Sequence, residues 1–195
     1  MAVKPQSSEA KGGVRMITCT TIKREEIGML SEWLMSKNAQ EFLAYDAQMS
    51  LAGQFKWFEH MKNEEFPTHW IIRRDDVPIG LLAVIDINLE NKRCAWSYYM
   101  HDPADDTDEM SSLLERSIYH HVFHELGFNK VTFAAFTDNS CAINRRSRSG
   151  CAQEGVLIDH VLCGGNFYDV SLQCMTAAMW RKACPDQQCE IIKLR

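Results

Sequence analysis

Three groups of residues in this 195-residue chain have the types and spacing to do chemistry. Arg145, Arg146 and Arg148 form its one dense basic cluster. Arginines so grouped can receive phosphate or stabilise an anion, but they cannot act as general acids at neutral pH; as a charge run they read first as a solvated helix face. Five acids lie between Asp102 and Glu109. Asp and Thr cap helix N-termini, and acids in a first turn satisfy the helix dipole, so that run reads as a helix start. His120 and His124 stand one helical turn apart with His121 beside them. That is ligand-like spacing, yet neither HExxH nor a carboxylate set accompanies them, and no metal is expected. Of the aromatics, Phe58 and Trp96 continue apolar stripes, while Trp57 and Tyr98 could stack on a base or sugar.

The elements that must position these groups follow from apolar periodicity. Residues 1–14 carry almost no apolar content and read as a flexible leader, 15–180 as one domain and 181–195 as a C-terminal tail. RMITCTTI suits a strand, REEIGMLSEWLMS an amphipathic helix through Ile27, Leu30, Trp33 and Leu34, and Ser50–Lys62 a second helix. THWIIRR, IGLLAVIDI and CAWSYYM are three strands joined by a turn at Asp75–Pro78 and by NLENK. Asp108–Leu126 holds apolar residues at helical spacing up to the stop at Gly127; KVTFAAF, a short helix ended by Gly150, and two closing strands complete the order. Runs of strands broken by single helices predict an α+β fold, a mixed and mostly antiparallel sheet with helices on both faces.

Composition narrows the function classes. Hydrophobic residues are 46% and charged residues 24% with a net charge of −5, the balance of a globular protein that would repel a polyanion, so no nucleic-acid partner is expected. No apolar run approaches a membrane span and the start lacks a signal peptide, so no membrane partner and a cytoplasmic location are expected. The eight cysteines show no CxxC pair or zinc-ribbon spacing, and free thiols are the default reading.

The order of elements is similar to the GNAT acyl-CoA N-acyltransferase fold. FKWFEHM, PIGLLAVIDINLENKRCAWSYYM, HVFHELGFNKVTF, DNSCAI and EGVLIDHVLCGGNFYDV resemble the GNAT branch of ribosomal-protein N-terminal acetyltransferases and of the sugar-nucleotide N-acetyltransferases of pseudaminic acid biosynthesis, the latter most in RCAWSYY and DIN. The resemblance implies acetyl transfer from acetyl-CoA, as cosubstrate, to a primary amine of a small molecule. It favours a nucleotide sugar of a surface-glycan or flagellin pathway over a protein N-terminus or other small amine, and it allows a homo-oligomer. In the family the cofactor's pantetheine arm lies like an extra strand between the splayed fourth and fifth strands. The implied donors are the backbone N–H groups of Tyr99 and Met100, with Ser111, Ser112, Asn139 and Arg146 as further cofactor contacts. Asn139 reads as well as a helix cap.

The same resemblance exposes departures. Asp108, Glu109 and Ser111 stand where a basic residue and glycines cradle the pyrophosphate. Arg146 takes the position of a tyrosine acid, and Gln54 that of a histidine relay. Gln54, Trp57 and Asn88 are the implied acceptor contacts, and Asp86, Tyr98 and His160 the catalytic candidates, Asp86 as a base through water and His160 as a base in a strand. A scaffold of this fold that has lost cofactor binding is the non-enzyme alternative.

Overall fold

The computed structural model describes residues 16–34, 59, 66–184 and 191–195. Its strands are β1 (Ile17–Thr21), β2 (His69–Arg74), β3 (Val77–Asn88), β4 (Arg93–Met100), β5 (Lys130–Phe136), β6 (Ala152–Cys163) and β7 (Asn166–Thr176). The helices are α1 (Ile27–Leu34), α2 (Asp108–His120), α3 (Ser140–Arg148) and α4 (Ala177–Ala183). They build one seven-stranded sheet of order β1-β2-β3-β4-β5-β7-β6, antiparallel except where β4 and β5 run parallel.

Two apolar layers follow from strand alternation. Trp70, Ile72, Leu82, Val84, Cys94, Trp96 and Met100 face α2, which returns Met110, Leu114, Ile118 and Val122 at helical spacing. Ile71 and Tyr99 point to the other face, against Ile27, Leu30 and Trp33 of α1. Helices therefore cover both faces, as expected. The sequence-predicted helix over Ser50–Lys62, including Gln54, Trp57 and Phe58, lies outside the described residues apart from Glu59.

Local details depart from expectation for physical reasons. The first turn is tighter than Asp75–Pro78: Asp75 and Asp76 take φ of 48° and 66°, the left-handed pair of a two-residue hairpin, and Val77 is already strand. Pro78 is tolerated because the β2–β3 register shifts between Ile72 and Arg73, beside its partner Arg73. The long helix does reach Glu125, but its last turn, His121–Glu125, is π-helical.

The tail is also more built than its charge suggests. Residues 177–183 form α4, capped by Thr176, whose Oγ1 accepts from Met179 N–H at 3.2 Å. Beyond it, Ile192 is buried and donates its N–H to Ser117 Oγ at 2.8 Å. Leu194 bridges Cys19 in parallel, and Arg195 N–H donates to the Cys19 carbonyl at 3.1 Å. The C-terminus thus covers the β1 edge of the sheet. Cys19, Cys94, Cys141, Cys151, Cys163 and Cys174 are free thiols, whereas Cys184 is disulfide-bonded, a correction to the reading of all cysteines as thiols.

One pH response is built into this framework. Burial pulls the His69 imidazole from 6.5 down to about 4, and its Nδ1 lies 2.8 Å from the Thr68 hydroxyl. The unfolded chain therefore binds a proton that the native state refuses between about pH 6.5 and about 4. The resulting stability is complete above that window and is lost as pH falls through it. Urea titrations across this range should show falling stability, and His69→Asn should remove part of the slope; an unchanged slope would contradict the assignment.

Candidate functional site: the parting of two parallel strands

Strands β4 and β5 pair only at Arg93–Lys130, Cys94–Val131 and Ala95–Thr132. Both continue, β4 to Met100 and β5 to Phe136, without pairing again. The sheet therefore opens into a V-shaped slot whose apex is Ala95 and Thr132.

The backbone groups that face this slot can be assigned from the ladder. His101 N–H donates to the Ile79 carbonyl at 2.9 Å, so odd-numbered residues of β4 turn their polar groups to β3. Successive residues turn to opposite sides. Thr132 Oγ1 donates to the Cys94 carbonyl at 3.3 Å from the β5 side, in agreement. The N–H groups of Trp96, Tyr98 and Met100 consequently face the slot. Of the two donors expected, Met100 is on the correct side; Tyr99 is turned to β3, and its carbonyl approaches Gly80 so closely that a Cβ there would collide with it.

Arg146 of α3 is wedged at the apex. Its guanidinium carbon lies 4.3 Å from the centroid of the Trp96 ring and 4.4 Å from that of Phe133. Trp96 and Phe133 are the first residues of β4 and β5 past the last paired register. The side chain is only 1% exposed, and Nη1 lies 2.9 Å from Oε2 of Glu115, itself 2% exposed. The pair's angle is poor for a hydrogen bond, and Arg146 Nε and Nη1 and Trp96 Nε1 are buried donors without a hydrogen-bond partner among the described residues. Around Glu115, Tyr119 Oη donates to Oε1 at 2.6 Å and Ser149 Oγ to Oε2 at 2.6 Å. The Cys151 sulfur lies 3.0 Å from Tyr119 Oη, and burial pushes its thiol up to about 12, so it is no thiolate at neutral pH. None of Glu115, Tyr119, Phe133 or Cys151 was singled out from sequence.

The acidic run is a capping and ion-pair device. Asp102 Oδ1 accepts from Ala104 N–H at 2.9 Å, and Thr107 Oγ1 caps α2 by accepting from Met110 N–H at 3.1 Å. Asp105 pairs with Arg74. Asp106 accepts from Arg145 Nη1 at 2.8 Å, and Asp108 from Arg145 Nε at 2.6 Å and from Arg148 Nη2 at 3.2 Å. The hydrogen bond from Arg145 holds the Asp108 carboxyl below the usual carboxylate range. The basic cluster of α3 thus neutralises the acids at the start of α2. Asp108, Ser112, Arg145, Arg148 and Ser149 line an open pocket of about 250 Å³.

The other expected residues divide. Tyr98 Oη lies 2.8 Å from Asp106 Oδ1 and 3.1 Å from Ser111 Oγ; burial, then the Asp106 charge, raises its pKa, so it is held as a protonated donor. Ser111 is buried in that contact rather than facing the pocket. Asn139 caps α3, accepting from Ala142 N–H at 3.1 Å, and Asn88 Oδ1 accepts from Asn91 N–H at 2.8 Å in the β3–β4 turn. Asp86 is exposed with φ 51° at a bulge of β3, one residue beyond Ile85, which pairs with Ala95 at the apex of the slot. His160 is exposed on β6, separated from β4 by β5 and β7, and is not brought to the slot. Among the described residues no group of His, Cys, Asp and Glu could hold a metal, and no helix is long and apolar enough to cross a membrane.

No family model matches the chain, and no curated protein matches it in sequence. Solved structures match the fold. A spermidine N-acetyltransferase from Vibrio cholerae, in complex with CoA and spermine, superposes with TM-score 0.77 at 14% identity, over 84% of this chain and 97% of that one. A chimera of the Vibrio cholerae enzyme and hSSAT gives 0.75 at 15% identity over 85% and 98%. The Vibrio cholerae spermidine/spermine enzyme with manganese ions gives 0.73 at 14% over 85% and 95%. These are spermidine and spermidine/spermine N-acetyltransferases; none belongs to the sugar-nucleotide or ribosomal-protein branch expected from the sequence. The parted β4 and β5, the order of the sheet and its two helical layers give this chain the fold of the GNAT acetyltransferases.

Proposed function

We propose that the chain is an acetyl-CoA-dependent N-acetyltransferase acting on a primary amine. The observation that carries this reading is the slot past Ala95 and Thr132, with three successive inward N–H groups on β4. An extended amide-bearing arm can add there as a strand does, satisfying those donors. Acetyl-CoA would supply an electrophilic thioester carbonyl and a thiolate leaving group. The Trp96 N–H, the inward donor nearest the apex, is the backbone donor best placed for the carbonyl oxygen, where negative charge develops, and the Tyr98 and Met100 N–H groups remain for the amides of the arm. Arg146, a permanent cation with unbonded donors at the apex, supplies electrostatic stabilisation to a departing thiolate without giving up a proton. Asp86 is the base candidate, through a water, at the same end of the slot.

The acceptor we favour is a small aliphatic polyamine. The first solved structure named above holds spermine, and the Asn88 side chain, one of the contacts implied for a sugar nucleotide, is engaged in its own turn. The sugar-nucleotide amine and a protein N-terminus are the alternatives.

A second reading, a scaffold without cofactor binding, is favoured by one observation: Asp106 and Asp108 already occupy the cations beside the α2 N-terminus, where a diphosphate would have to sit. Calorimetry with acetyl-CoA and a free-thiol assay decide between them. Saturable heat together with thiol release on adding spermine supports the proposal, and release only with an amino-sugar nucleotide moves the acceptor. Absence of heat at millimolar acetyl-CoA removes the enzyme reading and leaves the scaffold.

A further inference from the structure

Glu115 and Arg146 are an unequal pair. The Glu115 carboxylate is 2% exposed and is approached on both oxygens: by Tyr119 Oη at 2.6 Å and Cys151 Sγ at 3.6 Å on Oε1, and by Ser149 Oγ at 2.6 Å and Arg146 Nη1 at 2.9 Å on Oε2. Those neighbours come from α2, from α3 and its C-cap, and from the residue before β6. A carboxylate has about four acceptor sites, so this one is filled and fixed. The Arg146 side chain, 1% exposed, has no such set. Glu115 is its one charged partner among the described residues, and Nε and Nη1 keep donors without an acceptor there. A pair retained for stability alone satisfies both members, because a spare buried donor is costly.

The direction in which the spare donors point is set by Glu115. Backbone placement comes from elsewhere: Gln173 of β7 donates Nε2 to the Ile143 carbonyl at 3.2 Å and to Ser147 Oγ at 3.0 Å, which ties α3 to the sheet. Trp96 and Phe133 attract the guanidinium from 4.3 and 4.4 Å, but a ring face draws a cation without choosing which N–H it meets. The Oε2 contact does distinguish one nitrogen from another. We propose that Glu115 is a positioning residue for acetyl transfer, a role that rests on the acetyltransferase reading: by drawing Nη1 to itself it turns the remaining N–H groups of Arg146 toward the apex of the slot. There the attacking amine forms the C–N bond, the C–S bond breaks, and its electron pair leaves on sulfur. The amine's surplus proton passes through water to Asp86. Sulfur departs as a thiolate because Arg146 has no proton to give, and an aimed guanidinium stabilises that charge.

Bound CoA is the probe, its thiolate read by ultraviolet difference absorbance across a pH titration, with saturation established by calorimetry. On the wild type the thiolate-to-thiol ratio should exceed that of free CoA about tenfold or more, the effect of one nearby cation. Glu115→Gln should lose most of this excess while CoA affinity changes little, because the arm's amides bind β4. Glu115→Asp keeps the charge, withdraws it by one methylene and should lose part of the excess, so the test survives poor folding of Glu115→Gln. A ratio that rises in Glu115→Gln would show that the carboxylate merely screens Arg146, and a lower melting temperature with an unchanged ratio would show a purely structural role; either overturns the inference. CoA that binds the wild type with no thiolate excess overturns it alone. CoA that does not bind overturns the acetyltransferase reading and this inference with it.

Discussion

Replacing Arg146 with Met should lower the unfolding free energy by about 3–5 kcal/mol, because it strands the Glu115 carboxylate in a site from which water is excluded. For a domain of this size that is a melting-temperature loss of about 6–20 °C. The cost arises from the uncompensated partner and not from the value of the pair. The cycle that separates these is Arg146→Met combined with Glu115→Gln, which should recover most of the loss, since removing both charges leaves hydroxyls of Ser149 and Tyr119 facing a neutral amide. Additive losses in urea or thermal melts would show that the two side chains are not coupled. Stacking between Trp96 and Phe133 adds a cation–π component that Met keeps only as dispersion, so recovery should be incomplete.

Asp108→Ser should tighten binding of the CoA diphosphate by about tenfold, the size of a charged hydrogen bond made to a ligand rather than within the protein. Asp108 accepts from Arg145 and Arg148 at the lip of a pocket that also contains Ser112. Removing its carboxylate frees the Arg148 guanidinium and the Nε of Arg145, which stays paired with Asp106 through Nη1, beside a helix N-terminus, an arrangement suited to phosphate. The gain should shrink as salt rises, because the pocket is open to solvent. Calorimetry at two ionic strengths measures both effects. Unchanged affinity in the variant would mean that the diphosphate does not approach this end of α2.

Much of the fold could be read along the chain because its signals are local. Trp70 and Ile72, Leu82 and Val84, and Cys94 and Trp96 alternate as half-buried strands do, and the stripe Met110, Leu114, Ile118 and Val122 has helical period. The wedge at the apex could not be read that way. Arg146 falls in a charge run, which ordinarily means a solvated face, yet it is the most buried charged side chain of its helix because Trp96, Phe133 and Glu115, distant in sequence, converge on it. A trace of this did exist: Ser111, Glu115 and Tyr119 follow one another at four-residue intervals on the buried side of α2, and polar groups on an apolar stripe demand partners. The docking of the C-terminus was similarly foreshadowed by Ile192 and Leu194, whose alternate spacing suits an edge contact. The orientation of the Tyr99 N–H was beyond reach, since one residue of register decides which strand an amide faces.

The account rests on a thioester arm adding to β4 inside the slot. Amide chemical shifts of the 15N-labelled protein during titration with acetyl-CoA test that directly. Trp96, Tyr98 and Met100 should move and saturate together while Tyr99, bonded to β3, moves least; shifts confined to other parts of the chain, or none at millimolar ligand, would contradict it.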